Sequence, residues 1–225
     1  MDVRPAPEIN ENTYEWCVRA FSVLHDRLGI NIKVHGADGK LEDGQIFLFN
    51  HFARFETVIP QYIIHEATGA FCRCVAAGEL FDGNETLAKL LWDVGAVPTD
   101  HPGLLSFLAA EILRGRKVVV FPEGGMIKDR QVLDEQGNFG IFSPMDQVHR
   151  KLHKGAAAIA LTLEIFKKRI VMVHQDGNLP RLQRWVDALG LKDIDALVAT
   201  ARRRTLVVPA NITFYPIRSE DNILL

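Results

Sequence analysis

Short, bulky apolar runs alternate along this chain with stretches in which apolar residues recur every three or four positions. Residues 46–49, 71–76, 96–98, 117–121, 170–173 and 206–214 are the short runs. Their length and density suit strands buried on both faces. Between them, residues 57–66, 84–94, 103–114, 156–165 and 182–201 keep helical spacing, the last broken at Gly190. Strand, helix and strand in succession build parallel sheets. The pattern therefore predicts an α/β fold with a central, mostly parallel or mixed sheet flanked by helices.

The N-terminal part is read in the same way. Residues 1–11 are expected to be a flexible arm, and residues 12–225 a single domain. Asn12-Thr13-Tyr14-Glu15 has the form of a capping box, and Trp16, Cys17, Ala20, Phe21, Val23, Leu24 and Leu28 continue a helix that Gly29 ends. Two readings of this helix are open: packing on the sheet, or facing a membrane with Tyr14 and Trp16. Glu15 and Asp26 favour packing. Residues 30–34 alternate apolar and polar, residues 36–44 form a polar turn, and the run from Ile46 follows, so an antiparallel pair is expected there. Residues 131–146 look irregular, with Phe139-Gly140-Ile141-Phe142 as an apolar insert that covers a site, touches lipid or packs back on the core.

Composition narrows the function classes. The 225 residues carry a net charge of −2, so no global basic field recruits nucleic acid or an acidic membrane. Any attraction to anionic lipid has to be local, and Lys167-Lys168-Arg169 and Arg202-Arg203-Arg204 are the two basic runs that could supply it. The three cysteines, Cys17, Cys72 and Cys74, fit neither a disulfide framework nor a structural zinc site and suit a reducing cytosol. Cys72 and Cys74 read as buried thiols on one face of a strand, with Arg73 on the other face as a possible anion ligand. His149 and His153 share a helical spacing but lack a third metal ligand. No apolar run reaches the roughly 18 residues of a membrane span.

Two strand ends carry candidate chemistry, since strand ends in α/β folds border the ligand crevice. The run ending at Phe49 is followed by Asn50 and His51, and five residues later by Glu56. A carboxylate folding back on an imidazole fixes its tautomer and stabilises the imidazolium formed when the ring removes a proton. The alternative is a surface histidine near a helix start, with Glu56 favoured by the helix dipole. The run ending at Phe121 is followed by Pro122, Glu123, Gly124 and Gly125. A Gly-Gly turn can aim amides at an anion, Lys128 and Arg130 could add charge for a phosphate, and Glu123 could accept hydrogen bonds from substrate hydroxyls.

In this order the two motifs resemble the first and third sequence blocks of the glycerolipid acyltransferases, the glycerol-3-phosphate and 1-acylglycerol-3-phosphate family. Ala77-Gly78-Glu79-Leu80 with residues 91–98 is similar to the second block, Lys154-Gly155-Ala156-Ala157 to the helix after the third, and Val207-Val208-Pro209-Ala210 to the fourth. The resemblance covers roughly residues 30–217. It implies transfer of a fatty acyl group from a thioester, acyl-CoA or acyl-carrier protein, to the hydroxyl of a glycerolipid such as lysophosphatidate, in phospholipid biosynthesis. It further implies His51 as general base, Glu56 as its orienter, and Asn50, Glu123, Gly124, Gly125, Lys128 and Arg130 as substrate-binding residues. No metal or redox cofactor is implied, and the expected place is cytoplasmic, peripheral on the inner face of a membrane.

The chain departs from the family pattern twice. Glu56 stands where Asp is usual, and Pro98-Thr99-Asp100-His101 stands where the second block usually ends in a phosphate-holding arginine. Two alternatives follow: an inactive lipid-binding or regulatory domain, or an acyltransferase whose acceptor lacks a phosphate. Members usually continue further past the last strand, so the chain is read as a compact member or a piece of a longer protein.

Overall fold

The structure, a computed structural model, describes residues 8–51, 57–123, 131–133, 139–143, 148–150 and 153–214. The strands are β1 Ile46–Phe49, β2 Cys72–Ala76, β3 Ala96–Pro98, β4 Lys117–Val120, β5 Gln131–Leu133, β6 Phe139–Ser143, β7 Val148–Arg150 and β8 Val207–Ala210. The α-helices are α1 Glu11–Arg27, α2 Lys40–Asp43, α3 Ile59–Thr68, α4 Glu85–Asp93, α5 Leu104–Leu113, α6 Gly155–Gln175, α7 Leu179–Leu189 and α8 Ile194–Arg202.

Five strands form one parallel sheet in the order β3-β2-β4-β1-β8. Alternation along each strand divides the core in two. Ile46 and Leu48 of β1 and Val118 and Val120 of β4 join α5, α6, α7 and α8 on one face. Phe47, Phe49, Val119, Cys72 and Cys74 meet Ile64 of α3 on the other. Pro209, with no N–H to donate, is tolerated because β8 is an edge strand. Gly95, at φ 88° ahead of β3, is required sterically: a Cβ there would lie 2.1 Å from the Cys72 carbonyl oxygen.

Several expectations are corrected. Residues 30–34 form no strand and 40–43 form α2, because both edges of β1 are taken by parallel neighbours, β4 and β8. Residues 170–173 lie in α6, where Ile159, Leu163, Ile170 and Val173 extend one buried stripe. The apparent boundary at Lys167 vanishes because that side chain is buried, with Nζ donating to Gln45 Oε1 (3.2 Å), the Arg203 carbonyl (2.9 Å) and Thr205 Oγ1 (2.7 Å). The segment read as irregular holds a small antiparallel sheet, β5-β6-β7, with residues 139–142 in its middle strand. His149 therefore lies on β7 and His153 precedes α6, so the pair does not share a helix.

The N-terminal arm is pinned from Glu8 onward. Glu8 bridges Arg114 (2.7 Å) and Arg116 (2.8 Å), the Asn10 N–H donates to the Asp93 carbonyl (3.1 Å), and the Asn10 side chain caps α1. Helix α1 buries Tyr14 and Val18 against Tyr62, Phe71 and Val94, beside the sheet and not across it. Tyr14 thus faces inward, its hydroxyl accepting from the Cys72 N–H (3.3 Å), while Trp16 is 68% exposed.

Cys72 and Cys74 are buried thiols, as expected. Burial pushes each up to about 12, so almost no thiolate exists near neutrality. Iodoacetamide is expected to leave both unlabelled in the native protein and to label both after urea unfolding, with mass spectrometry as the readout. Rapid native labelling of either would contradict this packing.

Candidate active site

Because β1 and β4 are parallel neighbours, their C-terminal ends open on the same edge of the sheet. This is where such sheets bind ligands. Asn50 and His51 leave β1 beside Phe121, Pro122 and Glu123 leaving β4. The His51 main-chain N–H donates to Glu123 Oε2 at 3.1 Å, and the His51 and Phe121 rings stand 5.1 Å apart at 45°. Residues 72 positions apart therefore meet at one edge of the sheet.

Two further segments close on this point. Asn50, almost fully buried, makes a two-way clamp on the chain after β8: Nδ2 donates to the Ile212 carbonyl (2.9 Å) and Oδ1 accepts from the Ile212 N–H (2.6 Å). The His153 N–H donates to the Pro122 carbonyl (3.0 Å), which starts α6 beside the same edge. The positive end of the long α6 dipole thus lies near Pro122, which precedes Glu123. Replacing Asn50 by alanine strips both partners from the Ile212 peptide and is expected to cost about 1–3 kcal/mol. Urea unfolding measures it, and an unchanged midpoint would show that the clamp is idle.

Of the predicted site residues, Asn50, His51 and Glu123 come together. Glu56, Gly124, Gly125, Lys128 and Arg130 lie outside the described residues. Arg73, read as a possible anion ligand, is engaged otherwise: it is fully buried and its Nε donates to Glu111 Oε2 at 2.6 Å. Sequence reading missed the Glu123 contact to the His51 backbone and the Asn50 clamp. A buried-looking Asn directly after a strand was the only signal for the latter.

The end of β3 opens on the same edge. His101, in the stretch where the second block usually ends in an arginine, packs between Trp92 (5.8 Å between centroids) and Phe107 (5.2 Å). Its Nδ1 is buried without a hydrogen-bond partner among the described residues. Burial pushes the imidazole below the ordinary histidine range, helped by the Arg73 guanidinium and opposed by Asp100. The group is therefore neutral near neutrality. Among the described residues no three His, Cys, Asp or Glu side chains gather as metal ligands.

A family model described as Acyltransferase matches residues 31–173, more than half of the chain. The chain belongs to the acyltransferase family. That is the family of the glycerolipid acyltransferases, as the resemblance implied. The matched segment of this acyltransferase runs from before β1 into the last turn of α6 and contains both strand-end motifs. The clamp partner Ile212 falls beyond it. Comparison with curated proteins and with solved structures returns no match. Among the described residues no helix is long and apolar enough to cross a membrane.

Proposed function

We propose that this acyltransferase moves a fatty acyl group from a thioester donor, acyl-CoA or acyl-carrier protein, to the hydroxyl of a glycerolipid acceptor such as lysophosphatidate. The observation that carries the reading is the convergence of His51 with Phe121 and Glu123 at one sheet edge. His51 accepts the hydroxyl proton as the acceptor oxygen attacks the thioester carbonyl. The tetrahedral intermediate then expels the thiolate, which leaves as the thiol after taking the proton from the imidazolium. Glu56 orients the ring. Gly124 and Gly125 hold the acceptor's glycerol backbone, with Lys128 and Arg130 near its phosphate. Glu123, through its bond to the His51 N–H, fixes where the base stands. The nearby α6 N-terminus favours negative charge developing on the carbonyl oxygen.

One observation favours a second reading, in which the acceptor has no phosphate. Where the family places a cation after the second block, this chain has a neutral His101 between two aromatic rings. An apolar alcohol or amine suits such a wall better than a phosphate does. Release of free thiol from acyl-CoA, measured with lysophosphatidate and with an acceptor panel lacking phosphate, tests both. Stimulation by lysophosphatidate supports the first, stimulation only by uncharged acceptors the second, and none by any acceptor removes the enzymatic reading.

A further inference from the structure

We propose that the outward face of α6, together with the arginine-lined cleft beside it, is the surface that docks this acyltransferase on a bilayer containing anionic phospholipid. The proposal deepens the lipid-acyltransferase reading and takes from it only the expectation of a membrane.

Leu161, Ile165, Lys168 and Met172 fall on one line of α6, opposite the stripe of Ile159, Leu163, Ile170 and Val173 that packs into the core. The apolar members of the outward line are 66%, 63% and 61% exposed. A helix that only covers a core turns polar residues outward. A second, unpartnered apolar stripe marks a contact surface.

The charge beside the stripe identifies the partner. Arg202, the last residue of α8, and Arg203 and Arg204 after it line a cleft of about 410 Å³ with Leu161, Glu164 and Thr205. The acid in that cleft is already engaged, since Glu164 accepts from the Thr205 hydroxyl and lies 3.8 Å from the Lys167 ammonium. Arg203 reaches Asp43 at 3.3 Å, whereas Arg202 and Arg204 have no carboxylate partner among the described residues. Lys167 ties the cleft walls together through the Arg203 carbonyl and the Thr205 hydroxyl, so the arginines stand on a fixed frame. Guanidinium groups beside an apolar ridge meet lipid phosphates and acyl chains at once. This local patch supplies the attraction that a net charge of −2 does not. Helix α1, which also exposes apolar residues, sets Glu11, Glu15 and Asp26 against Arg19 and Arg27 and so offers anionic headgroups no cationic excess.

The face is also well placed for delivery. Helix α6 starts at the proposed active site, and Leu161 lies six residues into it, about 9 Å along the axis.

The test is co-sedimentation of the full chain with phosphatidylcholine vesicles with and without phosphatidylglycerol. R202E/R204E is expected to weaken binding to the anionic vesicles at least about tenfold and to erase the preference for them. L161E/I165E is expected to remove binding to both, and W16E to leave it intact. Binding by R202E/R204E and L161E/I165E equal to wild type, with circular dichroism showing both folded, would overturn the proposal. So would loss of binding in W16E alone, or displacement from vesicles by soluble glycerol phosphate, which would mark the cleft as a free-phosphate site. His51→Ala should bind vesicles like wild type, so failure of catalysis and failure of docking are read separately.

Discussion

Replacing His51 by alanine is expected to lower acyl transfer by about 10²–10⁴-fold, the usual contribution of a positioned general base. The architecture makes this a clean experiment. The contact that anchors residue 51 to Glu123 is made by its main-chain N–H, which alanine keeps. The imidazole itself stands half-buried past the end of β1, where its loss leaves no cavity inside the sheet. The variant should therefore unfold at the wild-type urea midpoint while thiol release in the presence of acceptor falls. Glu123→Ala is the informative companion: it removes the acceptor of the His51 N–H and should lower the rate constant, whereas Glu123→Gln keeps a carbonyl oxygen there and should retain most activity. Wild-type turnover by purified His51→Ala would end the assignment of the base.

Why these residues meet was legible in part. Ile46 to Phe49 and Val118 to Phe121 announce themselves because each is apolar on both faces and ends abruptly in polar or glycine residues. Two such runs joined through helices almost have to lie parallel, and parallel neighbours put both ends on one edge. What was hidden depended on partners remote in sequence. Lys167 looked like the end of a helix, since an unpaired lysine does not enter a core. It is buried because Gln45, Arg203 and Thr205 converge on its ammonium group. The β5-β6-β7 sheet escaped because strands of three to five residues around turns leave too few positions for a period to show. The Asn50 clamp spans 162 residues, and no local pattern encodes that distance. At the end of β3 the sequence displayed an absent arginine, but only the fold shows that His101 is enclosed by Trp92 and Phe107.

The largest effect on stability is expected at Glu111, a residue that helical spacing alone would mark as an ordinary helix acid. Its carboxylate is almost fully buried and gathers three guanidinium groups: Arg73 through Nε (2.6 Å), Arg114 through Nη1 (3.0 Å), and Arg116 by a short contact. Arg114 and Arg116 reach the surface and also hold Glu8, so water and a second carboxylate remain to them. Arg73 has no exposure to solvent and lies over the Phe107 ring at 5.1 Å. Glu111→Ala removes the carboxylate that accepts from Arg73 Nε and so breaks a buried ion pair from one side. Removing one partner of a buried ion pair typically costs about 3–5 kcal/mol. The urea midpoint should fall accordingly with an unchanged denaturant slope. If the penalty comes from the stranded charge and not from lost packing, removing the cation as well should reverse much of it. The double variant Arg73→Met/Glu111→Leu is therefore expected to be more stable than Glu111→Ala. A double variant as unstable as the sum of its single changes would show no energetic coupling between the two side chains. That outcome would contradict the account in which the pair is held in place mainly by the cost of breaking it.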